Sequence, residues 1–204
     1  MADVPRRVLV VMALEVESQG LFERAGVPVL YTGLGKVNAA IGLAKRLAEL
    51  RHAGQSPDLV LNLGTAGSRT LPTGSLVSCR EFVQRDMDVT GLGFALGETP
   101  FETWPAKLSF PKVFDHLPEG VCGTGDRFET GELNVVCDVI DMEAFAYAKA
   151  CLFDGVPFAS AKYVTDGANG SAAGDWQDNL RHASREFFDL WAHLAGRGPS
   201  NSTG

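Results

Sequence analysis

The chain has 204 residues, of which 45% are apolar and 21% charged, and a formal net charge of −7. That is a globular composition with enough length to bury a substantial core in one domain. The acidic balance argues against a nucleic-acid partner, which needs clustered Lys and Arg for its phosphates. No window approaches the ~20 apolar residues of a membrane span. Cys79, Cys122, Cys137 and Cys151 lie outside zinc-knuckle spacing, the pattern of buried thiols in a reducing, cytoplasmic compartment.

Arg7 to Ala13 is β-branched and apolar, the profile of a strand buried on both faces rather than of a signal peptide. Glu15 to Ala25 predicts a short helix, and Val27 to Thr32 a second strand closed by Gly33-Leu34-Gly35. Lys36 to Ala53 predicts an amphipathic helix whose apolar positions are Val37, Ala40, Ile41, Ala44, Leu47 and Ala48. Asp58 to Leu63 is a third strand, expected to end in the small-residue turn Gly64 to Ser68. Ser75 to Phe82 is a fourth. Residues 84 to 120 are rich in Gly and Pro without clear period and predict long loops with short pieces of structure. Asn134 to Ile140 predicts a strand, Met142 to Phe153 a helix and Val156 to Thr165 a strand. Asp175 to Leu194 closes the chain as a helix with Leu180, Phe187, Trp191 and Leu194 on one face. A single domain over residues 1–195 and a disordered tail over 196–204 are expected. Strands alternating with helices, and too apolar to face water, imply an α/β fold. Its three αβα layers hold a mostly parallel central sheet flanked by helices. Ligands in such folds sit at the carboxyl ends of strands. The polar residues just after each strand therefore matter most.

Gly33-Leu34-Gly35-Lys36 lacks the spacing of a phosphate loop and reads as a structural turn. In Asn62-Leu63-Gly64-Thr65-Ala66-Gly67-Ser68 the small residues let backbone approach a flat or charged ligand closely. Asp141-Met142-Glu143 puts carboxylates at a strand-to-helix junction. The helix dipole alone would explain them, but a carboxylate there can also accept from two vicinal hydroxyls of a ribose. Thr165 and Asp166 end the last strand, where Asp166 is either a helix cap or a catalyst. Phe128 is either core or an aromatic platform for a base.

The stretches MALEVES, GLGKVNAA, PDLVLNLGTAGS, RDMDVTGLGF, GTGDRF, DMEAFAYA and KYVTDGA are more specific together than singly. In this order they resemble the purine nucleoside phosphorylase superfamily, and within it the 5′-methylthioadenosine/S-adenosylhomocysteine nucleosidases. The resemblance covers nearly the whole chain. It implies a nucleoside phosphorylase-like fold and hydrolysis of a purine nucleoside, without metal or organic cofactor. It implies Asp166 as the acid that protonates N7 of the base, with Thr165 beside it in place of the usual serine. Glu143 would bind the ribose 2′- and 3′-hydroxyls and Met142 pack under the sugar. Phe128 would stack near the base, and Thr65, Ala66 and Gly67 would line base and ribose. Glu17 would activate the attacking water. Lys162 stands where the resemblance puts a substrate-contacting arginine. The phosphate-gripping GDPxR-like segment of phosphorylases is not found, which favours water as the nucleophile. Phosphorolysis, a different nucleoside (futalosine, AMP or one linked to a hopanoid) and a non-catalytic nucleoside-binding module are the alternatives. A homodimer is implied, with Phe94 to Phe101 reaching the partner's site.

Overall fold

A computed structural model describes residues 7–127, 134–167 and 172–196, with the side chains of 172–178 left aside. The chain alternates strands and helices. It runs through β1 (Val8–Met12), a 3-10 turn (Glu15–Glu17), α1 (Leu21–Arg24), β2 (Val29–Tyr31), α2 (Lys36–His52), β3 (Leu59–Gly67) and β4 (Leu76–Gln84). A second 3-10 turn (Thr90–Leu92), β5 (Lys107–Ser109), β6 (Glu119–Thr124), β7 (Val139–Asp141), α3 (Ala144–Asp154), β8 (Phe158–Asp166) and α4 (Ala172–Leu194) follow.

β1, β3 and β8 bury both faces, and alternate residues of β1 and β3 feed two cores. Val11 and Val60 point into the layer shared with α2 and α3, beside Leu43, Leu47, Phe145 and Tyr147. Val10, Met12, Leu61 and Leu63 point into the layer shared with α1 and α4, beside Phe22, Phe187 and Trp191. Period-2 alternation between two apolar layers is why these strands read as unbroken hydrophobic runs. Each fully buried aliphatic or aromatic side chain contributes about 1.5–3 kcal/mol. The three layers and the closing helix, with Leu180, Phe187, Trp191 and Leu194 on its inner face, are as expected.

Closure of the sheet is not foreseen by the pattern. β3 pairs in parallel with β1 and β8, and β1 in turn with β2. β8 runs antiparallel to β4, β4 is parallel to β6, and β6 is parallel to β7. β7 then meets the end of β3 antiparallel at Gly67–Ile140. The order β3-β8-β4-β6-β7 thus returns to β3 as a closed ring, with β1–β2 and the antiparallel β5 as flanges. Register shifts at Ala66/Gly67 and Cys79/Glu81 bend the strands enough to close it.

Three expectations need correction. The stretch from Gly64 to Gly67 is not a turn but the second half of the nine-residue β3. Its small residues let β7 and β8 crowd around one strand. The Glu15 to Ala25 helix is a 3-10 turn and a four-residue helix, interrupted where Gln19 and Gly20 take positive φ. Residues 84 to 120 are, as expected, long loops with short pieces of structure, namely the second 3-10 turn, β5 and the start of β6, and they bury Leu108, Phe110 and Phe114. The strand predicted from Asn134 is only Val139–Asp141, and the next helix starts at Ala144, not Met142.

On α2 the buried residues are Ala39, Leu43 and Leu47. Val37 and Ile41, expected inward, are 66% and 63% exposed. The helix carries two apolar stripes, and the fold uses only one.

Candidate active site

Six strand ends converge on one cavity of about 250 Å³. β1 supplies Ala13, Leu14 and Glu17; β3 supplies Thr65, Ala66 and Gly67; β7 supplies Ile140, Asp141, Met142 and Glu143; β8 supplies Thr165 and Asp166. Arg85 and Arg127 complete the ring from the ends of β4 and β6, with Leu34 from the turn before α2.

Each carboxylate is held by donors that the fold places. Glu17 is buried at the end of its 3-10 turn. Its Oε2 accepts from Leu14 N (3.2 Å), and its Oε1 from Thr65 N (2.8 Å) and Thr65 Oγ1 (2.9 Å). These bonds tie the end of β1 to β3 and aim the carboxylate into the cavity. Glu143 Oε1 accepts from Gly35 N at 2.8 Å. Gly35 sits at φ +90°, a backbone region that favours glycine. The GLGK segment is therefore a structural turn, as expected, and it also anchors Glu143. Asp166 Oδ2 accepts from Thr165 Oγ1 at 3.0 Å, and its carbonyl accepts from Ser68 N at 3.0 Å.

Beneath the cavity lies a buried ion pair. Lys162 Nζ stands 2.8 Å from Asp141 Oδ2, and both side chains are 2% exposed. Asp141 also accepts from Thr124 Oγ1 (2.6 Å) and from Ala144 N (2.8 Å), and Thr124 Oγ1 accepts from Phe145 N (2.9 Å). Asp141 and Thr124 thus satisfy the first open N–H groups of α3. That is why the helix begins after Glu143 and leaves it facing the cavity. A Cβ at Gly64 would lie 3.2 Å from Lys162 Nζ and 3.5 Å from Glu17 Oε1, so the glycine makes room for both groups.

The charges explain the proton positions. Burial favours neutral Asp141, but Lys162 and the hydrogen bonds outweigh it and hold this carboxyl below its usual range. Burial likewise opposes a charged Lys162, and Asp141 holds the ammonium above its usual range. Burial, reinforced by the Asp141 charge, pushes Glu143 up to about 8 despite the Gly35 N–H and Lys162.

Of the residues singled out in the sequence, Asp166, Glu17, Glu143, Met142, Thr65, Ala66, Gly67 and Thr165 line this one cavity. Lys162 is not on its wall but behind it, spent on Asp141. Phe128 lies outside the described residues. Sequence reasoning missed Arg85 and Arg127 as lining residues. Arg85 directly follows β4, which was predicted to end at Phe82, and Arg127 follows β6, which was not predicted.

A closed mixed sheet between helices, with a carboxylate-rich cavity at its strand ends, defines a member of the phosphorylase superfamily. Residues 18–195 match that family, and the chain belongs to it. More particularly, it is similar to 5′-methylthioadenosine/S-adenosylhomocysteine nucleosidases. It is 31% identical over 186 residues to that of Marinomonas sp. strain MWYL1, covering 81% of this chain and 78% of the relative. Against that of Haemophilus influenzae strain PittEE it is 31% identical over 207 residues, covering 91% and 88%. The crystal structure of the Neisseria meningitidis nucleosidase in complex with methylthio-immucillin-A matches with a TM-score of 0.77 at 25% identity, covering 93% of this chain and 98% of that one.

Proposed function

We propose that the protein is a purine nucleosidase that hydrolyses the N-glycosidic bond of a 5′-substituted adenosine, the class represented by methylthioadenosine and S-adenosylhomocysteine. The observation that carries this reading is the convergence of Glu17, Glu143 and Asp166 on one cavity from three different strand ends. Glycosidic cleavage passes through an oxocarbenium-like state and needs an acid on the leaving group and a base on the incoming water. In this reading Glu143 accepts the two ribose hydroxyls. Asp166 gives its proton to N7, so the C1′–N9 electron pair departs with a neutral base. Glu17 takes one proton from the water whose oxygen bonds to C1′. The products are free base and free sugar. Each positioned proton transfer is worth roughly 10²–10⁴-fold.

Incubation with methylthioadenosine in phosphate-free buffer is expected to release adenine and reducing sugar in equal amounts. Release only after phosphate is added would replace hydrolysis with phosphorolysis. Tight binding without product would leave a binding module.

The reading includes a single catalytic domain over residues 1–195 and a cytoplasmic location, supported by four unpaired thiols; among the described residues no helix is long and apolar enough to cross a membrane. It also includes a homodimer. A groove lined by Val37, Ala40, Ala44, Phe145 and Phe153 runs between α2 and α3 beside the cavity. Exposed apolar patches of this kind mark association surfaces. Phe101, 95% exposed at φ +62°, projects from the loop offered to a partner. Sedimentation equilibrium is expected to give twice the chain mass, and Ile41→Glu to shift it toward the monomer. A monomer at micromolar wild-type concentration would remove the dimer.

A further inference from the structure

Tyr147 is the largest fully buried side chain among the described residues, and the hydrolysis does not use it. It stands one helical turn after Glu143 on α3, where its N–H donates to the Glu143 carbonyl at 3.2 Å. Its ring belongs to the core shared with Leu43, Leu47 and Phe145. A phenylalanine would fill that space as well. The hydroxyl is what needs an explanation, because a buried hydroxyl without a partner is costly. Its partner is the Oγ1 of Thr32, the residue directly after β2. Thr32 Oγ1 also lies 3.1 Å from Gly33 O, which can only accept. Thr32 therefore donates to Gly33 and accepts from Tyr147, and both hydroxyls are satisfied. Burial holds the phenol above its ordinary range, so it keeps its proton and stays a donor.

One turn and one helix are thus joined twice. Thr32 meets Tyr147, and three residues later Gly35 N donates to Glu143 Oε1 at 2.8 Å. Between the two bonds the backbone has little conformational preference of its own, since Gly33 and Gly35 sit at φ +86° and +90°. The position of Gly35 N therefore depends on what fixes the turn. Thr32 N and Gly33 N donate to Met12 O (3.2 Å) and Ala13 O (2.9 Å) at the end of β1. Those bonds tie the turn to the sheet but not to α3. On the other side Thr32 is packed closely on α2, where a Cβ at Gly42 would meet its Cγ2 at 2.9 Å. The Tyr147 hydroxyl supplies the tie from the first residue of the turn to the helix that begins at the ribose clamp.

We propose that Tyr147, acting through Thr32, is a positioning residue for the ribose clamp: it fixes the turn so that Gly35 N holds the Glu143 carboxylate where both ribose hydroxyls can donate to it. This deepens the nucleosidase reading and rests on it. Tyr147 does not line the cavity, so its loss weakens ribosyl binding and leaves the proton transfers of Asp166 and Glu17 in place.

The test measures kcat and KM for methylthioadenosine, and the Kd of free adenine. Wild type is compared with Tyr147→Phe, Thr32→Val, Thr32→Ser and the Thr32→Val/Tyr147→Phe double variant. Tyr147→Phe is expected to raise KM about fivefold, with kcat within about threefold of wild type. Thr32→Val breaks the same bond from the other side at nearly constant volume and is expected to show the same split. It decides the matter alone if Tyr147→Phe does not fold. Thr32→Ser keeps the hydroxyl and is expected to recover most of the affinity lost in Thr32→Val. The double variant is expected to lose no more than Thr32→Val alone, since the bond is already broken there. Adenine has no hydroxyls to clamp, and its Kd is expected to stay within about twofold throughout. An unchanged KM, a fall in kcat alone, additive losses in the double variant, or adenine weakened as much as methylthioadenosine would overturn the inference and leave the nucleosidase reading standing. No cleavage by the wild type overturns both.

Discussion

Asp166→Asn is expected to lower kcat by roughly 10²–10⁴-fold while leaving the fold and nucleoside binding nearly intact. The reasoning starts from the leaving group. A purine leaves C1′ poorly as an anion, and protonation at N7 makes it neutral. An amide at position 166 has the shape of the carboxyl group but no transferable proton. Position 166 ends β8 opposite Gly67. It is fixed there by its own carbonyl, which accepts from Ser68 N, and by its neighbour, whose carbonyl accepts from Asn179 Nδ2 at 3.1 Å. Neither bond involves the side chain. The bond from Thr165 Oγ1 to Asp166 Oδ2 survives in the variant, because an amide oxygen accepts as well. The unfolding free energy is therefore expected to change by less than about 1 kcal/mol. Two measurements separate the outcomes: single-turnover release of adenine, and urea unfolding. A rate within threefold of wild type would remove Asp166 from acid catalysis. A large loss of stability would instead make it a structural cap.

Asp166 illustrates what could be read from sequence. Its place at the end of a buried strand was legible, because in a doubly covered sheet ligands are met at the carboxyl ends of strands. The same logic located Glu17, Thr65 and Glu143, which the structure brings to one cavity. Ring closure was not legible. It depends on register shifts near Gly67 and Cys79, which leave no periodic trace. β6 escaped notice because Glu119-Gly120-Val121-Cys122-Gly123-Thr124 holds two glycines, and those glycines make space for Val77, Cys137 and Arg85. Missing β6 meant missing Arg127. Lys162 was placed in the strand correctly but given the wrong neighbour. Only the register of β8 beside β3, and the reach of β7, show that its ammonium meets Asp141. On α2, two apolar stripes were present, and period alone could not decide which faced the core.

Nucleoside binding is expected to expel close to one proton near pH 6 to 7, and Glu143→Gln to abolish that release and weaken binding at least about tenfold. Glu143 is buried beside the anionic Asp141, and these two influences push its carboxyl up to about 8 in the empty site. Below that pH it carries a proton. To accept from both ribose hydroxyls it must give that proton up, since only the ionised carboxylate offers acceptors alone. Affinity for a ribosyl ligand should therefore rise with pH from about 5 and level off above about 8. Free adenine, having no hydroxyls to clamp, should bind without this slope. The stability of the empty protein should carry the opposite sign. The native carboxyl is raised above the ordinary glutamate value of 4.5, so the native state binds the extra proton. Its stabilising contribution is complete below 4.5 and is lost as pH rises to about 8, on the order of a few kcal/mol. In Glu143→Gln this part of the pH dependence of urea unfolding should disappear. Calorimetry in buffers of different ionisation enthalpy counts the released protons directly. Zero release on nucleoside binding to the wild type at pH 6.5 would show that the carboxylate is already ionised in the empty site, and would detach the pH dependence from Glu143.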